Sequence, residues 1–116
     1  MKKNKENLDY AKNQIEWFRN QRRFYKARRD LFKGAESLMI EQAVCREMIS
    51  HIDSIIWDLE ELTLENIKQI AEKYRSMDER YVYQRNVCGQ SKLVIQEQFY
   101  QELLRLTGRV TLSLNV

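Results

Sequence analysis

Residues 17–32, WFRNQRRFYKARRDLF, set down a pair of adjacent apolar residues every seven positions and fill the intervals with cations. Tyr10–Ala11 opens the series, and Trp17–Phe18, Phe24–Tyr25 and Leu31–Phe32 continue it. Seven residues fall about 20° short of two full helical turns, so the pairs stay on one slowly drifting stripe. The spacing predicts a helix over about Glu6 to Lys33, roughly 40 Å long, with both members of each pair in the core. Gly34 is the expected stop, and Lys33 suits the negative end of the helix dipole. Leu38–Met39 keep the sevenfold spacing beyond Gly34, so a continuous helix with a weak point there is the alternative.

The remaining sequence agrees with a helical reading. The chain has 116 residues, enough for one domain over residues 1–116 but not for two independent cores. Apolar residues make up 43% and charged residues 32%, a globular balance. No proline and only three glycines are present, too few for the many turns of a sandwich or barrel. The fold class expected is all-α, a bundle of four to five helices with a long basic N-terminal helix.

A second helix is predicted over about Ser37 to Leu62. Cys45, Met48, Ile52, Ile55, Leu59 and Leu62 alternate by threes and fours, a coiled-coil-like seam. Ile40, Val44, Ile49 and Ile56 widen it, while Glu41, Glu47, Asp53, Asp58, Glu60 and Glu61 mark the solvent side. Thr63 suits the cap of a third helix through Ile67, Ile70, Ala71 and Tyr74. Ser76-Met77-Asp78-Glu79 has the form of a capping box, so the helix either restarts there or the match is accidental. Asn86 to Gln90 reads as the next turn, with Ser91 as a cap. A last helix is expected over about Lys92 to Leu106, ending at Gly108. In the tail, RVTLSLNV (109–116), Val110, Leu112, Leu114 and Val116 alternate with polar residues, the period of a strand. Such a strand-like tail would pair with a second copy, add to a partner's sheet edge, or fray.

Charge is unevenly spread. Residues 1–33 carry eleven Lys/Arg against four Asp/Glu, a net of +7; residues 34–65 carry one against eight, a net of −7. Residues 66–116 carry eight against five, a net of +3. Antiparallel packing of the first two helices would bring the opposed blocks together; otherwise each seeks an outside partner. Arg19, Arg22, Arg23, Lys26, Arg28 and Arg29 form the densest cationic strip, and arginine forks suit phosphate oxygens. The competing reading has these cations solvated or paired within the molecule. Lys68, Lys73, Arg75, Arg80 and Arg85 form a secondary basic set. The segment Thr63 to Arg85 is loosely reminiscent of a helix-turn-helix, without the turn glycine and with Tyr81 and Tyr83 in the would-be recognition helix.

Arg46-Glu47-Met48-Ile49-Ser50-His51 places an arginine, four residues, then the only histidine. This spacing resembles the ribonuclease signature of HEPN domains, small helical proteins with a composite site made by two subunits. The resemblance implies that the histidine and arginine act on the scissile phosphate and the attacking 2′-hydroxyl. The family usually has an uncharged polar residue or aspartate where Glu47 stands. On an ideal helix Arg46 and His51 lie about 140° apart, so a kink is needed to join them. The other reading leaves His51 flanking the Met48–Ile52 seam and Arg46 paired with a glutamate.

No Glu-x-x-His, glycine-rich phosphate loop or Ser/His/Asp arrangement occurs, so no metal site, cofactor or catalytic residue is assigned. Two cysteines, no secretory leader and no apolar run of spanning length point to a reducing, cytoplasmic setting and no membrane. The function expected is a small non-enzymatic regulatory protein, a homodimer, binding nucleic acid or a nucleoprotein complex through the first helix. The alternative is a protein-interaction module, an inhibitor or adaptor of the kind phages and mobile elements encode, using charged helices and the tail.

Overall fold

The computed structural model describes residues 2–114, and every regular element among them is helical. Five α-helices follow one another: α1 (Lys2–Asn13), α2 (Ile15–Phe32), α3 (Met39–Glu60), α4 (Ile67–Gln90) and α5 (Val94–Ser113). A single turn of 3₁₀ helix, Glu36–Leu38, leads into α3. Helices α2 to α5 form an up-down bundle in which each neighbour is antiparallel. Arg22 of α2 meets Asp53 of α3, and Asp58 of α3 meets Tyr74 of α4. Asp78 of α4 meets Thr107 of α5, and Arg105 of α5 returns to Gln21 of α2.

The first predicted helix is present but interrupted at Gln14, whose backbone remains helical (φ −79°, ψ −12°), so α1 and α2 part by a single residue. Lys12 at the end of α1 donates to the carbonyls of Leu59 and Glu60 at 3.3 and 3.0 Å. A cation there satisfies carbonyls that the end of α3 leaves open. The break after α2 falls at Gly34, whose φ of +82° is left-handed backbone that a side chain disfavours.

The sevenfold pairs do not bury as pairs. Ala11, Phe18 and Tyr25 are buried and Phe32 half-buried, all second members. Tyr10 is exposed, Trp17 half-buried, Phe24 52% exposed and Leu31 80% exposed. A helix of period 3.6 cannot hold two adjacent residues, about 100° apart, equally inward. The seam of α3 is buried throughout, from Cys45 through Met48, Ile52, Ile55 and Leu59 to Leu62. On its acidic side Glu41 and Asp58 are partly buried, and Asp58 accepts hydrogen bonds from the Tyr74 hydroxyl and Lys73, both at 2.7 Å.

Beyond α3 the predicted boundaries move. Thr63 and Asn66 exchange side-chain-to-backbone hydrogen bonds (2.8 and 3.2 Å), a reciprocal cap with Thr63 in the expected capping role, and the regular helix begins after one further turn, at Ile67. Ser76 to Glu79 start no helix, because α4 runs unbroken through them. Asp78 instead accepts from the Thr107 hydroxyl at 2.6 Å and from Thr111, clamping α4 to α5. The helix-turn-helix is overturned for the same reason: Ile67 to Gln90 is one helix, with no turn between two arms.

The turn expected at residues 86–90 lies at residues 91–93. Leu93 N–H bonds the Cys88 carbonyl (2.8 Å) and Lys92 N–H the Gly89 carbonyl (3.2 Å), a Schellman closure. Its left-handed residue is Lys92 (φ 58°), where glycine is the usual choice. Gly89 serves a different purpose inside α4: a Cβ there would meet Glu97 of α5 at 3.3 Å. Gly108 likewise lies within α5, not at its end.

The strand-like tail is a correction of the same kind. Helix α5 continues to Ser113, and residues 115–116 lie outside the described residues. Leu103, Leu106, Val110 and Leu114 are buried at helical spacing, whereas Leu112, inward under strand alternation, is exposed. Four buried side chains at spacings of three and four outweigh an alternation of polar residues that mostly find helical partners.

Candidate nucleic-acid interface

The six cations of the opening strip separate by position along α2. Near its start, Arg22 donates from Nε to Asp53 of α3 at 2.6 Å. Arg19 reaches Glu60 of α3 and Glu16 of its own helix, each at 3.4 Å. The +7 and −7 blocks therefore meet across the α2–α3 pair, as antiparallel packing requires. These pairs are exposed and individually worth little, but they commit the cations to the fold.

Farther along, the acidic seam ends. Arg23 touches only Glu16 of its own helix (3.4 Å) and the side chain of Asn20. Arg29 pairs, among the described residues, only with its neighbour Asp30 (3.3 Å). Lys26 has no carboxylate within ion-pair distance among the described residues. The register that pairs residue 22 with 53, and the Gln42 side chain with the Phe32 carbonyl, explains this. Opposite Lys26, Arg29 and Lys33 it brings Ile49, Arg46 and Gln42, none of them acidic. Lys26, Arg29 and Lys33 follow at spacings of three and four and share one face. Arg46 of α3 lies level with Arg29 and is exposed, and among the described residues it makes no ion pair, so the expected pairing with a glutamate is not seen there.

Arg28 points elsewhere. Its guanidinium lies over Phe24 (6.0 Å) and Phe32 (5.5 Å), four residues to either side, and borders an open cleft between α2, α3 and α5. The cleft encloses about 770 Å³. Cys45 lines it too, a buried free thiol whose ionisation burial pushes up, with Arg28 and Arg29 pulling the other way. On the α5 wall, Tyr25 donates to Glu102, and Arg105 binds both Glu102 (3.1 Å) and the Tyr25 oxygen (3.0 Å). Burial first, then the Glu102 carboxylate, raises the Tyr25 phenol to about 12, so it stays a donor.

Trp17, expected in the core, stacks under Arg109 (3.9 Å to the ring centroid) and Arg105 (5.7 Å). These two α5 cations are thereby engaged, and Arg109 also donates to Gln14 at 2.9 Å.

The secondary basic set disperses over α4. Lys73 pairs with Asp58, Arg75 with Glu72 at 2.7 Å, and Arg85 donates to Gln101 at 2.9 Å. Arg80 lies over the Tyr81 ring at 5.4 Å, and Lys68 shows no ion pair or ring contact among the described residues. No common face collects them.

Arg46 and His51 sit on one unbroken helix, and no hydrogen bond joins them. His51 is half-buried against the Tyr81 ring (centroids 6.5 Å, 83° between planes). Burial lowers its proton affinity, Glu47 opposes that, and Arg80 adds to it. Among the described residues no three His, Cys, Asp or Glu side chains cluster as a metal site. No described helix is long and apolar enough to cross a membrane. No family model, curated protein or solved structure matches the chain.

Proposed function

We propose that the chain is a small non-enzymatic regulatory protein that binds a nucleic-acid backbone through Lys26 and Arg29 of α2 and Lys33 just past its end, with Arg23 and Arg46 alongside. One observation carries this reading: the cationic stripe of α2 outruns the acidic seam of α3 at Asp53, and past that point no carboxylate of another helix lies within ion-pair distance of Lys26, Arg29 or Lys33 among the described residues. Cations left in this way repel each other and gain most from a polyanion, whose condensed counterions they release. Arg19 and Arg22, by contrast, act inside the fold.

Titration of labelled duplex DNA and of single-stranded RNA at about 50 mM salt tests this. Binding to either should weaken as salt rises, with a logarithmic slope of about −3 for roughly three duplex phosphates. Absence of binding to both at that salt contradicts the proposal. The alternative, a protein-interaction module, draws support from a separate feature, the cleft beside Arg28.

A further inference from the structure

The cleft between α2, α3 and α5 combines two properties that a folded monomer leaves unresolved. Its mouth is apolar and open: Phe24 of α2, Ile40 of α3 and Ile95 of α5 are 52%, 57% and 46% exposed. Three large apolar side chains from three helices round one concavity are a site for association, not scattered surface residues. Leu31, one heptad beyond Phe24, extends the apolar surface along α2.

The second property is electrostatic. Arg28 and Glu41 both line the cleft, and neither has an ion-pair partner among the described residues. One carboxylate oxygen of Glu41 is enclosed by the chain's own atoms and accepts no hydrogen bond, so only the other can meet an occupant of the cleft. A desolvated carboxylate oxygen without a donor costs free energy, and its position in the first turn of α3 compensates only in part. The other two charges of the cleft, Glu102 and Arg105, already neutralise each other.

An occupant must therefore bring apolar surface, a donor for Glu41 and a carboxylate for Arg28. A partner of one charge sign would satisfy one of these groups and bury the other against its like. A second copy of this chain brings all three. In a two-fold interface every contact occurs twice with roles exchanged, so Arg28 of each protomer meets Glu41 of the other. We infer that the cleft is the homodimer interface of this protein, closed by two reciprocal Arg28–Glu41 pairs over an apolar centre of Phe24, Ile40 and Ile95. The inference goes beyond the nucleic-acid reading and does not depend on it, because the Lys26–Arg29–Lys33 stripe lies on a different face of α2.

Sedimentation velocity of the full chain from about 1 to about 200 µM decides it. The wild type should pass from monomer to dimer within that range. Arg28→Glu and Glu41→Arg should each weaken association more than about tenfold, since each sets like charges against each other. Their combination should restore it to within about threefold of wild type, because the pair is re-formed with exchanged signs. Ile40→Asp should give a monomer of unchanged helicity by circular dichroism. Should Ile40→Asp fail to fold, the charge exchange still decides, as both its positions are polar and lie at the cleft. A wild type that stays monomeric throughout overturns the inference, and so does a double variant no better associated than the single ones.

Discussion

The two halves of α2 have nearly the same composition and opposite fates. In the first, Phe18 is fully buried while Arg19 and Arg22 reach Glu60 and Asp53 on α3. In the second, Tyr25 is buried like Phe18, but Phe24 and Leu31 are exposed where Trp17 is half-buried, and Lys26 and Arg29 find no carboxylate on another helix among the described residues. The helix itself is uniform, so the difference comes from what lies opposite. Asp53 is the last acid on the face of α3 that meets the Lys26–Arg29–Lys33 stripe, and from there towards its N-terminus that face presents Ile49, Arg46 and Gln42. A cationic stripe is thus structural or available according to its neighbour, not its own sequence.

The sharpest way to break this comparison is to truncate one aromatic in each half. Phe18→Ala should cost about 3–5 kcal/mol in urea unfolding, as for other buried aromatics. Phe24→Ala should cost less than about 1 kcal/mol, since half of its surface is already wet. Equal losses would mean that first members of the sevenfold pairs, such as Phe24, are core as fully as second members, such as Phe18. A smaller effect is expected at the turns that end the hairpins. Gly34→Ala should destabilise by about 1–2 kcal/mol, because φ is +82° there. Lys92→Gly should stabilise by about 1 kcal/mol, releasing a side chain from left-handed backbone at φ 58°. Thermal unfolding of the two variants against wild type measures both signs.

Within the first half, a double-mutant cycle on Arg22→Gln and Asp53→Asn should return a coupling of about 0.2–1 kcal/mol, the range for exposed pairs. The coupling should shrink at high salt. A coupling indistinguishable from zero would leave Arg22 as free as Lys26 and erase the contrast. The smallest effect is expected at His51. Its folded state holds a proton less readily than the unfolded chain does, owing to burial and Arg80. The stability of the neutral ring is therefore complete above about pH 6.5 and is lost as pH falls through the lowered folded value. The melting temperature should fall on acidification from about pH 7 to about pH 5.5, and His51→Gln should flatten that fall.

The helical class, the break at Gly34, the seam of α3 and the meeting of the charge blocks were all legible in the residues. They rest on long periodic patterns or on net charge, which survive small errors of register. Three things were not legible. The sevenfold pairs look symmetrical in one dimension, and only the axis of a neighbouring helix tells Phe18 from Trp17. The tail alternates like a strand, but Val110 and Leu114 also extend the spacing begun at Leu103 and Leu106, and packing chooses the longer pattern. The cleft draws on α2, α3 and α5, so no local window contains it. Its one sequence trace is the spacing Phe24–Arg28–Phe32, which places a cation between two rings four residues away. Arg46 was singled out for its distance from His51, whereas its place level with Arg29 follows only from the register of two helices.

The central claim is that position opposite α3, not charge alone, decides which cations of α2 are free to bind a polyanion. The most direct measurement compares two equal charge removals at one salt concentration: Arg19→Gln with Arg22→Gln, and Lys26→Gln with Arg29→Gln. Affinity for a short DNA duplex should fall about tenfold or more for the second pair, the loss of two phosphate contacts, and less than about threefold for the first. Equal losses for the two pairs, or a greater loss for Arg19 and Arg22, would contradict it.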